Sequence, residues 1–197
     1  MSTDTLPGRL ANVLAPTLGP VAIENLRALT GGASRRTWAF DAVTPDGRRA
    51  LILRTGPPDE IHAGMELEAR AQGAAAAAGA PVPHILISDD SVAALGNPFL
   101  ICDEVEGETV VRRIDRQLDD AGRAGLLNQC AQALAAIHRA EPGGIGLSDE
   151  DQLTACRNQL DAMGDTTATF EWAFRRLAAG RPAPAAGHLV HGDFRMG

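Results

Sequence analysis

Short apolar segments alternate with polar turns over the first part of the chain, as in an antiparallel β-sheet. Three strands are predicted over 23–29, 37–43 and 49–54. Between the second and third, Thr44-Pro45-Asp46-Gly47 has the residue types of a hairpin turn. No helical pattern interrupts this stretch. The order is therefore strand, glycine-containing loop, strand, turn, strand.

Helical patterns and two further strands surround these three segments. An amphipathic helix is predicted over 10–18, before Gly19-Pro20, and a second over 65–78, before Gly79. Short strands are expected at 84–88 and 99–105, and Glu106-Gly107 is expected to be a linker. The pattern predicts a mostly antiparallel β region over about 1–106.

From Ile114 onward the pattern is helical. Leu127, Cys130, Ala131, Leu134 and Ile137 follow the i, i+3, i+4, i+7 spacing that predicts a buried stripe on one helix. Two more helices are predicted over 153–163 and 169–179. The predicted fold class is α+β, with a β-rich N-terminal lobe at 1–106 followed by a helical lobe at 107–197.

The amino-acid composition excludes several classes of mechanism and partner. All 18 basic residues are arginine, which excludes a lysine Schiff base or a lysine-type P-loop. The net charge of −7 argues against a nucleic-acid partner. Three cysteines without a C-x-x-C pair, an acidic N-terminus and no apolar run of membrane-spanning length predict a cytoplasmic protein with no membrane partner.

A glycine-rich loop, Gly31-Gly32-Ala33-Ser34, joins the first two predicted strands. Rossmann and Walker loops open a helix, so this loop is neither. Glycine loops between antiparallel strands cover nucleotide phosphates in kinase-type folds. The alternative is a hairpin in which glycine only supplies positive φ.

Arg54 ends the third strand and Glu68 lies on the following helix. In a kinase-type lobe the basic residue of the third strand holds the α- and β-phosphates, and a helix glutamate holds that residue. Arginine can replace lysine there because its guanidinium is always charged and grips phosphate with two donors. The alternative is two unrelated solvated side chains.

The segment His191-Gly192-Asp193 follows the apolar pair Leu189-Val190. An aspartate in a tight turn after a buried segment suits a base that orients a substrate hydroxyl. Two alternatives stay open. His188, His191 and Asp193 could be metal ligands of a hydrolase, or the loop could be purely structural.

In this order, these segments resemble the aminoglycoside phosphotransferase/choline-kinase-like superfamily, including the kinase domain fused to some acyl-CoA dehydrogenases. That subfamily commonly has arginine on the third strand. The resemblance implies a protein-kinase-like two-lobe fold, an antiparallel β N-lobe with one helix and the first part of a helical C-lobe. The matching segments are LTGGAS at 29–34, LILR at 51–54 with Pro57-Pro58, Glu68, APVP at 80–83, LGNPFL at 95–100 through EVEG at 104–107, LAAIH at 134–138 and LVHGDFR at 189–195.

The resemblance also implies functions for individual residues. Gly31, Gly32, Ala33 and Ser34 would cover the ATP phosphates, and Arg54, held by Glu68, would bind them. Cys102 would lie behind the adenine, and the backbone of Asp103, Glu104 and Val105 would offer hydrogen bonds to it. Asp193 would be the catalytic aspartate, with His191 shaping its loop and His138 packing or anchoring a loop.

The family's loop continues to a magnesium-binding asparagine after Gly197 and later to an acidic metal ligand, so no metal ligand is expected within these residues. The resemblance implies an ATP- and Mg²⁺-dependent phosphotransferase that acts on the hydroxyl of a small molecule. We expect the 197-residue chain to be nearly inactive alone and to self-associate through an uncovered apolar face. A non-catalytic, pseudokinase-like nucleotide-binding or interaction module is the alternative.

Overall fold

The computed structural model describes residues 5–29, 35–57, 63–164, 166–183 and 187–195. Its elements follow the predicted order of helices and strands, apart from a short helix over 111–117 that was not predicted separately, and the predicted α+β class is confirmed. They are α1 (Leu6–Leu18), β1 (Ala22–Leu29), β2 (Arg36–Thr44), β3 (Gly47–Thr55), α2 (Met65–Ala77), β4 (Ile85–Asp89), β5 (Phe99–Asp103), α3 (Val111–Gln117), α4 (Asp120–Arg139), α5 (Gln152–Met163) and α6 (Ala168–Ala179).

The five strands form one antiparallel sheet in the order β1-β2-β3-β5-β4. The predicted hairpin joins β2 to β3, where Thr44 pairs with Gly47. Gly47 has φ of 144°, a conformation that favours glycine and explains the residue at this turn. The sheet places β3 beside both β2 and β5, so the end of β3 lies next to the start of β5.

One face of the sheet is covered by α1. Leu10 and Leu14 are fully buried there against Phe40, Leu51 and Leu53. Since side chains alternate along a strand, Leu51, Leu53 and Thr55 lie on the α1 face, and Ile52 and Arg54 lie on the other. The α1 face is the larger apolar core of the sheet.

The opposite face contacts α2. Met65 of α2 packs with Leu100 and Cys102 of β5. Further along α2, Ala75 belongs to a separate cluster that contains Ile137 of α4 and Leu189 of the C-terminal segment. Both ends of α2 are thus anchored, one on the sheet and the other on α4 and Leu189.

The predicted buried stripe on α4 is wrong over most of its length. Ile137 is 8% exposed, but Leu127 is 71% exposed. Leu127, Cys130, Ala131 and Leu134 line an open cavity of 610 Å³ together with Phe194. Periodicity identified an apolar face correctly, but that face lines an open space instead of packing against another element.

The described residues divide into two compact units. The first contains the chain up to Ile145 and again from Leu189, and the second is Gly146–His188, which contains α5 and α6. Within the second unit, Arg157 of α5 pairs with Glu171 of α6 at 2.5 Å and lies 5.4 Å from the Phe174 ring. The predicted lobe boundary at 106/107 stays a prediction.

Of the helices that the structure describes, none combines the length and the apolar character needed to cross a bilayer.

Candidate functional site

Arg54 lies on the α2 face of the sheet because strand alternation turns it away from the core under α1. Its guanidinium Nη1 donates to Glu68 Oε1, and Glu68 lies in the first turn of α2. The Glu68 side chain is 19% exposed, so this ion pair is largely shielded from water. The two residues singled out in the sequence are therefore in direct contact.

A second arginine binds the same carboxylate. Arg35 Nη1 lies 2.5 Å from Glu68 Oε2 and also donates to Met65 Sδ at 3.0 Å. Arg35 Nη2 donates to the Ala63 carbonyl at 3.2 Å. Sequence reasoning did not identify Arg35, although its place directly after the glycine-rich loop was a usable signal.

The three charged side chains form a network with a formal charge of +1. Gln72, one turn further along α2, donates to Glu68 Oε1 at 3.2 Å and helps to fix the carboxylate. A single carboxylate cannot occupy all ten N–H donors of two guanidinium groups. The network, termed the arginine clamp below (Arg35, Arg54, Glu68), therefore keeps donors available for an anion.

Cys102 of β5 lies on the same face of the sheet as Arg54, two residues along from Leu100, which pairs with Arg54. Burial raises the pKa of the Cys102 thiol, and the positive charge of Arg54 acts in the opposite direction. The thiol is thus a neutral, buried packing group beside the arginine clamp.

In residues 103–105, at the end of β5, some of the backbone N–H groups are already hydrogen-bonded within the sheet. The Asp103 N–H donates to the His84 carbonyl and the Glu104 N–H to the Ala50 carbonyl, both at 3.0 Å. Val105 is 69% exposed, and its N–H has no acceptor among the described residues. Of these three backbone donors, Val105 N–H is the one available to a ligand.

The side chains of Asp103 and Glu104 are bound to arginines. Arg49 grips Asp103 with two hydrogen bonds, Nε to Oδ1 at 2.6 Å and Nη2 to Oδ2 at 3.0 Å. These bonds hold the pKa of the Asp103 carboxyl below its usual value. Glu104 pairs with Arg27 of β1 at 3.3 Å. The two carboxylates thus fasten the end of β5 to β3 and β1.

The C-terminal loop is anchored by Leu189, which is buried between α2 and α4. Gly192 has φ of 79° and turns the chain sharply. The Asp193 N–H donates to His191 Nδ1 at 3.3 Å, and the His191 ring meets Phe194 edge-on at 5.5 Å. His191 therefore holds the loop that carries Asp193.

Asp193 presents its carboxylate to solvent, with 73% of the side chain exposed and Arg195 Nε at 3.0 Å. No hydrogen bond or ion pair joins it to the arginine clamp in the part of the chain that the structure describes. Gly31, Gly32, Ala33 and Ser34 lie outside that part. His188, His191 and Asp193 do not form a metal-binding cluster, and no group of three potential ligands occurs elsewhere among the described residues.

Two solved structures resemble the chain. One is a protein from Ralstonia eutropha JMP134 provisionally named an aminoglycoside phosphotransferase, with 22% identity and a TM-score of 0.67, over 95% of this chain and 58% of that one. The other is a spectinomycin phosphotransferase in complex with ADP and spectinomycin, with 12% identity and a TM-score of 0.51, over 89% of this chain and 54% of that one. This chain thus spans less than two thirds of either. These likenesses confirm the predicted kinase-like fold.

Among curated proteins no match was found. The model of the phosphotransferase enzyme family, in contrast, matches residues 25–197, which include all of the sheet except the start of β1, the arginine clamp and the loop of Asp193. The chain belongs to the phosphotransferase enzyme family.

Proposed function

We propose that this chain forms the nucleotide-binding region and catalytic loop of an ATP-dependent phosphotransferase that acts on the hydroxyl group of a small molecule. The observation that supports this best is the arginine clamp, in which Arg35 and Arg54 share Glu68. Family membership supports phosphoryl transfer in general. The identity of the nucleotide, the class of the acceptor and the roles of individual residues are our proposal.

The clamp has the charge and donors that fit a polyphosphate. Glu68 fixes the two guanidinium groups before a ligand arrives, so little side-chain freedom is lost on binding. Each guanidinium can then direct its remaining N–H groups at phosphate oxygens. Arg54 and Arg35 would hold the α- and β-phosphates, and bound ATP would supply the transferable phosphoryl group. The loop Gly31–Ser34 would cover the phosphates.

The adenine base of the nucleotide would lie against β3 and β5. Val105 N–H has no acceptor among the described residues, and Ile52 offers a partly buried apolar side chain on the α2 face, beside the buried Cys102. The backbone of Asp103 and Glu104 can contribute through carbonyl oxygens, since both N–H groups are already used in the sheet.

Asp193 would act as the base that orients the acceptor hydroxyl. Its exposed carboxylate can accept a hydrogen bond from that hydroxyl once Arg195 moves aside. His191 would be a positioning residue, because it contacts the Asp193 backbone. No group of three potential metal ligands occurs among the described residues, so we derive no step through Mg²⁺.

We propose only that the acceptor is a small compound with a hydroxyl group. The spectinomycin-bound structure concerns a different enzyme and supports only that class. Aminoglycosides, choline-like amino alcohols, sugars and hydroxyacyl thioesters all remain within it. The cytoplasmic location expected from the sequence stays a prediction.

Isothermal titration with ATP and Mg²⁺ tests the nucleotide site in this chain. We expect saturable binding, weakened about tenfold or more by Arg54→Gln and by Arg35→Gln, since each loses a charge-assisted bond worth about 1.5–3 kcal/mol. Arg48→Gln is the matched control, because Arg48 lies on the same strand but pairs with Glu24 and Asp41.

Two outcomes would overturn the proposal. One is the absence of saturable binding in a folded wild-type chain. The other is an equal loss of affinity in all three arginine variants, which would indicate a nonspecific effect of charge. Binding that depends on the clamp without phosphoryl transfer by the complete protein would favour the pseudokinase-like alternative.

A further inference from the structure

A cavity of 400 Å³ lies on the α1 side of the sheet. Its walls include Trp38 and Arg36 of β2, Thr55 of β3 and Arg9 of α1. Thr55 directly follows Arg54, and consecutive strand residues lie on opposite faces. The sheet therefore separates this cavity from the arginine clamp.

The cavity is positively charged in an acidic protein. Arg9 and Arg36 both line it, and no aspartate or glutamate is found among the lining residues that the structure describes. The remaining lining residues are neutral, and Asn97 adds a side-chain amide. Although the chain has a net charge of −7, two arginines and no described carboxylate line this cavity.

Neither arginine has a described acidic partner. Arg27, Arg48, Arg49 and Arg54 of the sheet each form an ion pair, whereas Arg36 forms none with a described residue. Arg9 also borders a second cavity that contains Glu66 and Asp89, but it pairs with neither.

Arg9 Nε is a buried donor with no acceptor among the described residues. Leaving a charged donor unsatisfied is unfavourable. Because Nε itself is almost inaccessible, a ligand in the cavity would bind the other N–H groups of the Arg9 guanidinium. The unsatisfied Nε shows that the described residues do not fully partner the charge of Arg9.

We propose that this cavity binds a small oxyanionic ligand, whose phosphate or carboxylate group is held by Arg9 and Arg36. Thr55 and Asn97 offer a hydroxyl and an amide donor to the same group. The Trp38 indole and the apolar lining of Leu6 and Leu53 would contact a planar or apolar part of the ligand. The site does not depend on the nucleotide site proposed above.

The fluorescence of Trp38 can be used to follow binding in this cavity. The chain has two tryptophans, and Trp172 lies exposed on α6. In a Trp172→Phe background, Trp38 becomes the single tryptophan, so its fluorescence reports on this cavity. Inorganic phosphate, phenyl phosphate and benzoate are titrated separately at constant ionic strength, with potassium chloride as the salt control.

We expect a saturable fluorescence change with at least one of the three anions and none with chloride. Arg9→Gln and Arg36→Gln should each weaken the apparent affinity about tenfold or more. Arg36 is exposed, so its variant tests the site even if Arg9→Gln impairs folding of α1. Arg48→Gln, a paired arginine elsewhere in the sheet, should leave the titration unchanged.

A preference among the anions then identifies the ligand source. Tighter binding of both phosphates than of benzoate indicates a phosphate ligand, and the reverse order indicates a carboxylate. An unsaturable change, or one unaffected by Arg36→Gln, would overturn the proposal. So would a change abolished by Arg54→Gln alone, because it would place the anion at the arginine clamp.

Discussion

At the level of single residues, arginine serves several separate purposes in one small sheet. Arg49 fixes the end of β5 through Asp103, Arg48 joins Glu24 and Asp41, and Arg54 joins Glu68. The guanidinium suits all of these because its several N–H donors can bind one carboxylate twice, as in Arg49–Asp103, or two carboxylates at once, as in Arg48. The partners of each arginine therefore distinguish the structural sites from the proposed binding sites.

The Arg49–Asp103 pair should make stability depend on pH. Because Arg49 lowers the pKa of Asp103, the pair stabilises the fold above the ordinary carboxyl pKa, and this is lost as pH falls through the lowered pKa. Both side chains are partly solvated, so Arg49→Gln should cost about 0.5–1 kcal/mol at neutral pH. Urea unfolding should show this difference shrinking below about pH 4.

Asp103→Asn provides the control for this prediction. In that background Arg49→Gln should have an effect on the free energy of unfolding that does not change with pH. A constant difference between wild type and Arg49→Gln from neutral to acid pH would contradict the assignment.

The contact between Arg54 and Glu68 was predictable from the sequence, whereas the binding roles assigned to both residues stay predictions. Arg54 and Glu68 were identified because one ends a strand and the other begins a helix, and the structure joins them. Arg35 was missed because its partner becomes evident only when α2 is folded onto the sheet. Whether the Val105 N–H is available to a ligand likewise depends on which backbone donors are already hydrogen-bonded within the sheet.

Among the elements, α1 makes the clearest contribution to stability. Thr5 caps it, with the Gly8 N–H donating to the Thr5 hydroxyl, and Pro7 lies in its first turn. The sequence prediction began this helix four residues late, although both start signals were present. The amphipathic character predicted for this helix is confirmed by the burial of Leu10 and Leu14 against the sheet.

Leu10→Ala should lower the free energy of unfolding by about 2–4 kcal/mol, because a fully buried leucine leaves a cavity. The matched control is Leu127→Ala on α4, an exposed leucine for which we expect a change of less than about 0.5 kcal/mol. Both values come from urea unfolding followed by circular dichroism. Equal losses in the two variants would show that α1 does not form part of the core.

For the whole molecule, the uneven distribution of apolar surface is the dominant feature. The α1 face of the sheet is well packed, whereas the 610 Å³ cavity beside α4 leaves Leu127 and Phe194 partly exposed. Sequence periodicity marked the α4 face as apolar but carries no information about what covers it. Open apolar surfaces of this kind favour association.

We therefore expect the chain to self-associate with increasing concentration in sedimentation velocity. Leu127→Gln should shift the distribution toward monomer, because it places an amide in the apolar cavity. Leu147→Gln changes another exposed leucine that does not line the cavity and should have little effect. A monomer at every concentration, or the same shift in both variants, would contradict this expectation.

The helix α2 contacts both the arginine clamp and the cluster that holds Leu189. Glu68 near its start contacts Arg35 and Arg54, and Ala75 near its end packs in the cluster that holds Leu189. The two positions are about 10 Å apart along a helix, which moves as a nearly rigid rod. A displacement of α2 as a rigid body would therefore move both Glu68 and the packing around Leu189, four residues before Asp193. If the arginine clamp binds phosphate as proposed, the same helix links that site to the loop that carries the candidate base.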